Sequence, residues 1–531
     1  MTTRTRDKSI VIVIVLAVLL LVGAAFLNFS TDSANVLYSG TNGLDFDDGD
    51  IKINWAQYPT QELQLSESLF IDRSGTYILS GDIENGSIVV DAGDENGVVK
   101  LVLNDLNVKC GDGPAIYVKS ADDIVIETAK DSENSLVSGK NFRVFEEDQN
   151  VDATIYSKGD LSFYGEGILY VESNYRDAIV SKDDLTIRSG EIQVKSAYNG
   201  ILGKDSVYIV DGKISIEAKQ DGIKSNNSEN IKKGFVYIEN GDIEIDTSDD
   251  GIHATSALII DDGKINITNS YEGIEGGKVI INGGDVDIVA LDDGINVAGG
   301  DDESAFLRPG AQGFANFDKY LLIINGGEIY VNAAGDGLDS NGLIYINGGE
   351  IAVDGPINSA NGALDSEGGI FFNGGSVVAV GASGMAEAFA EGSLGYGVDI
   401  YFDSTLAKKT KISIKDSNGN ELISHVSAKT FNNAVIGVDG LVLGDTYYIY
   451  TNDKKYKEFV ISDYLTTVGE SGSFQAPGGG DMQIKPDEMP AEPEGGFPGG
   501  PGGEKPNDAG GQRMERPEDD GTKPEEDKNK K

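Results

Sequence analysis

The chain of 531 residues has few of the side chains on which most metal and redox chemistry depends. A single cysteine, Cys110, excludes an internal disulfide and any zinc or iron–sulfur site built from several thiolates. Only two histidines, His253 and His425, are present, too few for a catalytic zinc held by three imidazoles. Basic residues number 42 against 88 acidic ones, a net charge of −46. The positive surface that phosphate backbones require is missing, so nucleic acid is excluded as an electrostatic partner, and docking onto anionic lipid is disfavoured. Proline supplies 13 residues against 70 glycines, which excludes collagen. Apolar residues make up 39 %, thin for one compact core but too many for a wholly disordered chain. What remains is acidic, glycine-punctuated β sequence, whose fitting metal partner is a hard, oxygen-seeking cation.

The two ends differ from the middle. Ile10 to Leu27 is an unbroken run of apolar residues and glycine behind Arg4, Arg6 and Lys8. It is at the short end of what crosses a hydrocarbon core of roughly 30 Å, and its basic flank would stay in the cytoplasm. Residues 1–30 read as a signal anchor, or as a signal peptide cleaved after Gly23, Ala24 and Ala25. Both readings put the rest of the chain outside the cell, surface-anchored or secreted, with the membrane as a partner only through this segment. Residues 31–64 read as a linker. From 469 to 531 the sequence is rich in glycine, proline and glutamate without apolar periodicity, the composition of a disordered tail.

Between them a repeat recurs. "GEIQV" (190–194), "GKISI" (212–216), "GDIEI" (241–245), "GKINI" (263–267), "GDVDI" (284–288), "GEIYV" (327–331), "GEIAV" (349–353) and "GSVVA" (375–379) share one pattern. Their first apolar residues are separated by 22, 29, 22, 21, 43, 22 and 26 positions. Four apolar columns hold constant offsets, as in Val236/Ile238/Ile243/Ile245 and Leu258/Ile260/Ile265/Ile267. Each pair alternates with period 2, which makes a short strand with one face inward. Such short strands cannot close a barrel within one repeat, whereas stacked coils bury all four columns together. The sequence therefore predicts an all-β, right-handed parallel β-helix of about 22 residues per coil over 65–394. A small C-terminal β domain over 395–468 would cap it, with "KISIKDSNGNELIS" (411–424) as a hairpin. Asn282, Asn325, Asn347 and Asn373 before Gly-Gly, with Asn240, Asp211 and Asp262 before a single Gly, form a structural turn column whose amides can pair between coils.

A second motif carries the chemistry: "RDAI" (176–179), "YNGI" (198–201), "QDGI" (220–223), "DDGIH" (249–253), "YEGIE" (271–275), "DDGIN" (292–296), "GDGLDS" (335–340) and "NGALDS" (361–366). Its constant distance from the next strand predicts one column containing Asp249, Asp250, Glu272, Glu275, Asp292, Asp293, Asp336, Asp339 and Asp365. Like charges stacked at ~4.8 Å repel, and a bound cation removes that cost. Calcium, with 6–8 oxygen ligands in flexible geometry, suits the column better than magnesium. Turn-making alone is the competing explanation, because Asp-Gly pairs are preferred in turns anyway. His253 reads as a surface residue beside the strip, since imidazole is a poor calcium ligand.

The 22-residue coil, the "INGG-x-I" strands, the "DGLDSNG" and "ALDS" turns, and "GTYILSGDIENGSIVVDA" (75–92) with "LVLNDLNV" (101–108) resemble the bacterial, extracellular carbohydrate-binding domain-containing proteins. The resemblance covers roughly 65–470. It implies a right-handed β-helix distantly like pectate lyases, bound calcium, and binding of cellulose or an acidic glycan such as polygalacturonate. The insertion "VAGGDDESAFLRPGAQGFANFDK" (297–319) adds Phe306, Phe314 and Phe317, suited to sugar rings, and Arg308, suited to a carboxylate. Calcium-dependent polysaccharide binding is the leading expectation. A polysaccharide lyase with Lys224 or Arg308 as base and a non-catalytic surface scaffold or adhesin are the alternatives.

Overall fold

The computed structural model describes residues 44, 52–93, 97–143, 150–230, 232–298 and 320–470. The apolar run near the N-terminus, the insertion with Phe306, Arg308, Phe314 and Phe317, and the C-terminal tail lie outside the described residues. Among the described residues no helix is long and apolar enough to cross a membrane.

The protein is an all-β parallel solenoid followed by a small antiparallel sheet. The four apolar columns predicted from the repeat pack against one another inside the coils. One runs Val207, Val236, Leu258, Val279, Leu322, Ile344 and Ile370, paired residue to residue between successive coils. All seven are fully buried. A second runs Ile192, Ile214, Ile243, Ile265, Val286, Ile329, Ile351 and Val377. Each coil adds a third, short strand, and these stack into a separate 12-stranded sheet from Leu69–Ile71 to Leu364–Ser366. Neighbouring coils sit ~4.8 Å apart, and β-branched Ile and Val fill this pleated stack well. The first ladder strand, Thr60–Leu65, already falls inside the stretch read as linker and pairs with Gly75–Ile83. The 43-residue interval is a loop and not a skipped coil, because Lys278–Ile281 pairs directly with Leu321–Ile324.

The glycine between paired strands turns the chain through a conformation that side chains resist. At Gly284 φ is 92°, and a Cβ there would come within 2.8 Å of the Gly263 carbonyl oxygen one coil below. Beside it runs an amide ladder: each of Asn325, Asn347 and Asn373 donates its Nδ2 to the Oδ1 of the asparagine below, at 2.7–2.8 Å. Its foot is Asn282 on Asp261 at 2.7 Å. Asp262 is therefore not in the ladder, as the sequence suggested. It bonds the following Gly263 amide, as Asp211 does Gly212, because the ladder position precedes it by one residue.

The parallel ladder ends where Ser376–Gly381 meets Phe431–Val438 running antiparallel. Phe431–Val438 pairs in turn with Gly397–Leu406. A four-stranded antiparallel sheet of Glu421–Val426, Lys411–Lys415, Thr446–Thr451 and Lys454–Val460 follows, and it contains the expected hairpin. The junction is polar and fully used. Buried Asp354 accepts bonds from His425, Ser427, Tyr330 and the Ala428 amide. Burial alone would raise its carboxyl, yet the donors hold it below the usual range.

Candidate carboxylate strip on the short-strand sheet

Each short strand has three residues. In Ile223–Ser225 and Ile252–Ala254 the first and third are fully buried, so the middle one faces outward. That outward position reads Tyr117, Tyr156, Val180 and Leu202 on the lower coils. It then becomes Lys224, His253, Glu275, Asn296, Asp339 and Asp365. Three residues before it on each coil lies the turn, whose backbone is also in register. The amides of Gly222, Gly251, Gly273 and Gly294 donate to the carbonyls of Asp250, Glu272, Asp293 and Asp336.

The nine acids nominated from sequence share this edge but divide into three parallel columns, not one. Asp250, Glu272, Asp293 and Asp336 occupy the turn column. Glu275, Asp339 and Asp365 occupy the strand column three residues on. Asp249 and Asp292 stack beside the turn column with Tyr271 between them, its amide on Asp249 and its carbonyl receiving the Asp292 amide. The cause is the three-residue path from turn to strand, which puts acids of one motif on different rows.

Turn-making accounts for one oxygen of several carboxylates. Asp221 Oδ1 accepts the Asp250 amide, Asp293 Oδ1 the Asp336 amide, and Asp336 Oδ1 the Gly362 amide. The second oxygens differ along the strip. Asp221 Oδ2 meets Lys224 Nζ at 2.6 Å, and Asp250 Oδ2 meets His253 Nδ1 at 3.0 Å, with Glu275 Oε2 on the same nitrogen at 2.7 Å. His253 is thus buried, not at the surface as its context suggested. Burial pulls its pKa down, but the bonds to Asp250 and Glu275 outweigh this and raise it well above the ordinary value. Lower on the strip, then, side-chain cations neutralise the acids.

Higher up, the described residues place no Lys, Arg or His in ion-pair contact with Glu272, Asp293, Asp336, Asp339 or Asp365. Burial, followed by repulsion from neighbouring carboxylates, drives the carboxyls of Glu272, Asp293 and Asp339 well above the usual range. Asp336 rises to about 7, chiefly through burial. Ligand oxygens of Asp250, Glu272 and Glu275 lie within 4.8 Å of one another. Beside them Asn296 donates its Nδ2 to Glu272 at 2.9 Å, while its own Oδ1 is buried without a hydrogen-bond partner. A buried carbonyl oxygen left orphaned among carboxylates costs free energy unless something positive reaches it. The donor set, all oxygen apart from His253, fits a hard divalent cation.

Several of these residues were not nominated from sequence. Asp221 and Asn296 belong to motifs already aligned, "QDGI" and "DDGIN", and comparing the same offset across repeats would have found them. Glu387, which accepts the Ser366 amide at 3.1 Å and extends the acid row past Asp365, lies outside any repeat and gave no signal.

The fold and strip agree with what similar proteins are. Residues 66–303 match the family described as carbohydrate-binding domain-containing protein. A protein of that description from Acetivibrio thermocellus is 38 % identical over 128 residues, which cover 24 % of this chain and 44 % of that protein. The match therefore spans less than half of that relative's length. A solved structure described as the polysaccharide lyase-like protein from C. thermocellum, a gadolinium derivative, is 32 % identical. It has a TM-score of 0.36, with 44 % of this chain and 94 % of that chain covered. Through its coils the chain belongs to the carbohydrate-binding domain family.

Proposed function

We propose that this protein binds polysaccharide at the cell surface through a divalent cation, calcium by preference, held on the strip between Asp250 and Asp365. The observation that carries the reading is the orphaned Asn296 oxygen among carboxylates that no described side chain neutralises. Glu272, Glu275, Asp293, Asp336, Asp339 and Asp365 would supply the remaining oxygens, and calcium accepts such a flexible, oxygen-only set. A face this negative repels an acidic glycan, whereas a cation on it can bridge to uronate carboxylates. The family's description as carbohydrate-binding supports a glycan partner, with polygalacturonate favoured over cellulose by the charge argument. Right-handed winding of the coils accords with the strong preference of parallel β crossovers.

The test is an affinity gel cast with polygalacturonate or cellulose and run with and without chelator. Retention on polygalacturonate that disappears with chelator is the expected result. Retention indifferent to chelator would remove the bridging cation from the proposal.

The lyase alternative has one described base, Lys224, which lies in the strand column directly below His253. Its contact with Asp221 favours the ammonium form, whereas a base must be neutral. Ultraviolet absorbance from unsaturated uronate products, abolished in Lys224→Ala, would replace the binding reading with catalysis. Absence of both retention and product would leave a structural adhesin.

A further inference from the structure

The sheet of Phe235–Ile238, Ala257–Ile260, Lys278–Ile281, Leu321–Ile324 and Leu343–Ile346 is apolar on both faces, and only one face lines the solenoid core. Val236 and Ile238 and their counterparts point inward. Phe235, Tyr237, Ile259, Ile280, Leu321 and Ile323 are on the opposite face and form a cluster of their own. They are nevertheless buried, with Ile259 and Ile280 only 2 % and 3 % exposed. Continuous apolar runs such as "LLII" are the signature of strands covered on both sides, so something lies over this flank.

The covered patch has definite ends. On lower coils the equivalent outward residues are Ser162 and Thr186, followed by Tyr208 stacked on Tyr237 at 5.0 Å. At the far end Tyr345 stacks on Phe371 at 5.1 Å. Leu44, a described residue from before the first coil, packs against this cluster. The sequence around it, "LDFDD" (44–48), alternates apolar and acidic residues with the period of a half-buried strand. Lys278 is the single basic position in the two outward columns and complements those acids.

The chain is long enough to reach. From Thr60–Leu65 the ladder passes through Gly75–Ile83, Val98–Cys110, Asp123–Thr128, Asp160–Gly165, Asp184–Ile187 and Ser206–Ile209 before Phe235–Ile238. At ~4.8 Å per step that is about 34 Å, whereas the stretch from Leu44 to Thr60 spans about 53 Å when extended.

We propose that the segment before Lys52 is an intramolecular strap, led by Leu44 and Phe46, that runs back along the coils and covers this flank. The region expected to be a loose linker is then fixed to the solenoid, and the carboxylate strip on the short-strand sheet is left free. The strap does not depend on the glycan-binding reading.

The test places a photoreactive benzoylphenylalanine at position 44 of the full chain, followed by irradiation and peptide mapping. Crosslinks within one chain to 235–238, 257–260, 278–281 or 321–324 are expected. Crosslinks between two chains, or to other segments of the same chain only, overturn the strap. A second variant, Leu44→Asp with Phe46→Asp, is expected to speed tryptic cleavage at Lys52 at least tenfold and to raise binding of a hydrophobic dye. Polygalacturonate retention and its chelator response should be unaltered. Unchanged cleavage and dye binding would also overturn it.

Discussion

The lower and upper halves of the short-strand sheet have the same backbone and opposite chemistry. Up to Leu202 the outward position holds Tyr117, Tyr156, Val180 and Leu202, which pack as a buried apolar cluster. From Lys224 onward the same position holds cations and then carboxylates, with no break in strand register. The inward neighbours do not notice: Ile201, Ile223, Ile252, Ile274 and Ile295 are all fully buried. A solenoid thus separates the positions that hold it together from those that act, because coil-to-coil backbone bonds and inward columns suffice for the fold. Charge can then accumulate on one edge until it requires a partner.

Within the strip the comparison sharpens, since Lys224 and His253 are tethered cations and the coils above lack them. The largest expected effect comes from removing one. Lys224→Met leaves Asp221 buried and uncompensated, and should cost about 3–5 kcal/mol in thermal or urea unfolding. Metal should not rescue this variant to wild-type stability if the lower coils depend on their own cations.

Next comes pH. Asp336 sits near 7 in the folded, metal-free chain against 3.8 for an ordinary aspartate, so the folded state binds more protons than the unfolded one in that interval. Metal-free stability should therefore fall as pH rises from about 4 through about 7, by about 2–4 kcal/mol for this residue after allowance for its partial exposure. Saturating calcium should flatten the curve, and equal slopes in melts with and without metal would contradict the assignment.

A smaller effect should change sign with metal. Asp339→Asn relieves repulsion from Asp336 and Asp365 and should stabilise the chelated protein by about 1 kcal/mol. The same change should destabilise the calcium-loaded protein and weaken calcium binding in titration calorimetry. A change of the same sign in both states would mean that Asp339 is not a ligand. The smallest effect belongs to the amide ladder. Asn347→Ala breaks its bonds to Asn325 and Asn373 near solvent and should cost about 1 kcal/mol, with no change in metal response.

Much of this was legible in the sequence because the inward columns obey one rule on every coil. Val279, Ile281, Val286 and Ile288 occupy their places through hydrophobicity and period alone, so alignment of the repeats was enough to place them. The acids were legible as one edge but not as rows. Asp249 and Asp250 are adjacent in sequence, yet they stack in different columns, and side-chain direction at a turn is set by backbone dihedrals that residue type does not specify. His253 was misread because its burial depends on Asp250 and Glu275, one on its own coil and one on the next. Asn296 looked like turn filler until the third dimension showed its oxygen with no donor.

By itself, the sequence determined the repeat, the strands, the inward face and the accumulation of negative charge along an edge, since these follow from local periodicity multiplied by stacking. Only the tertiary structure decided which carboxylates meet a tethered cation, which are left facing one another, and that one flank of the solenoid is covered from outside. Those outcomes depend on distances between residues on different coils, and chain order alone does not encode which oxygen meets which proton.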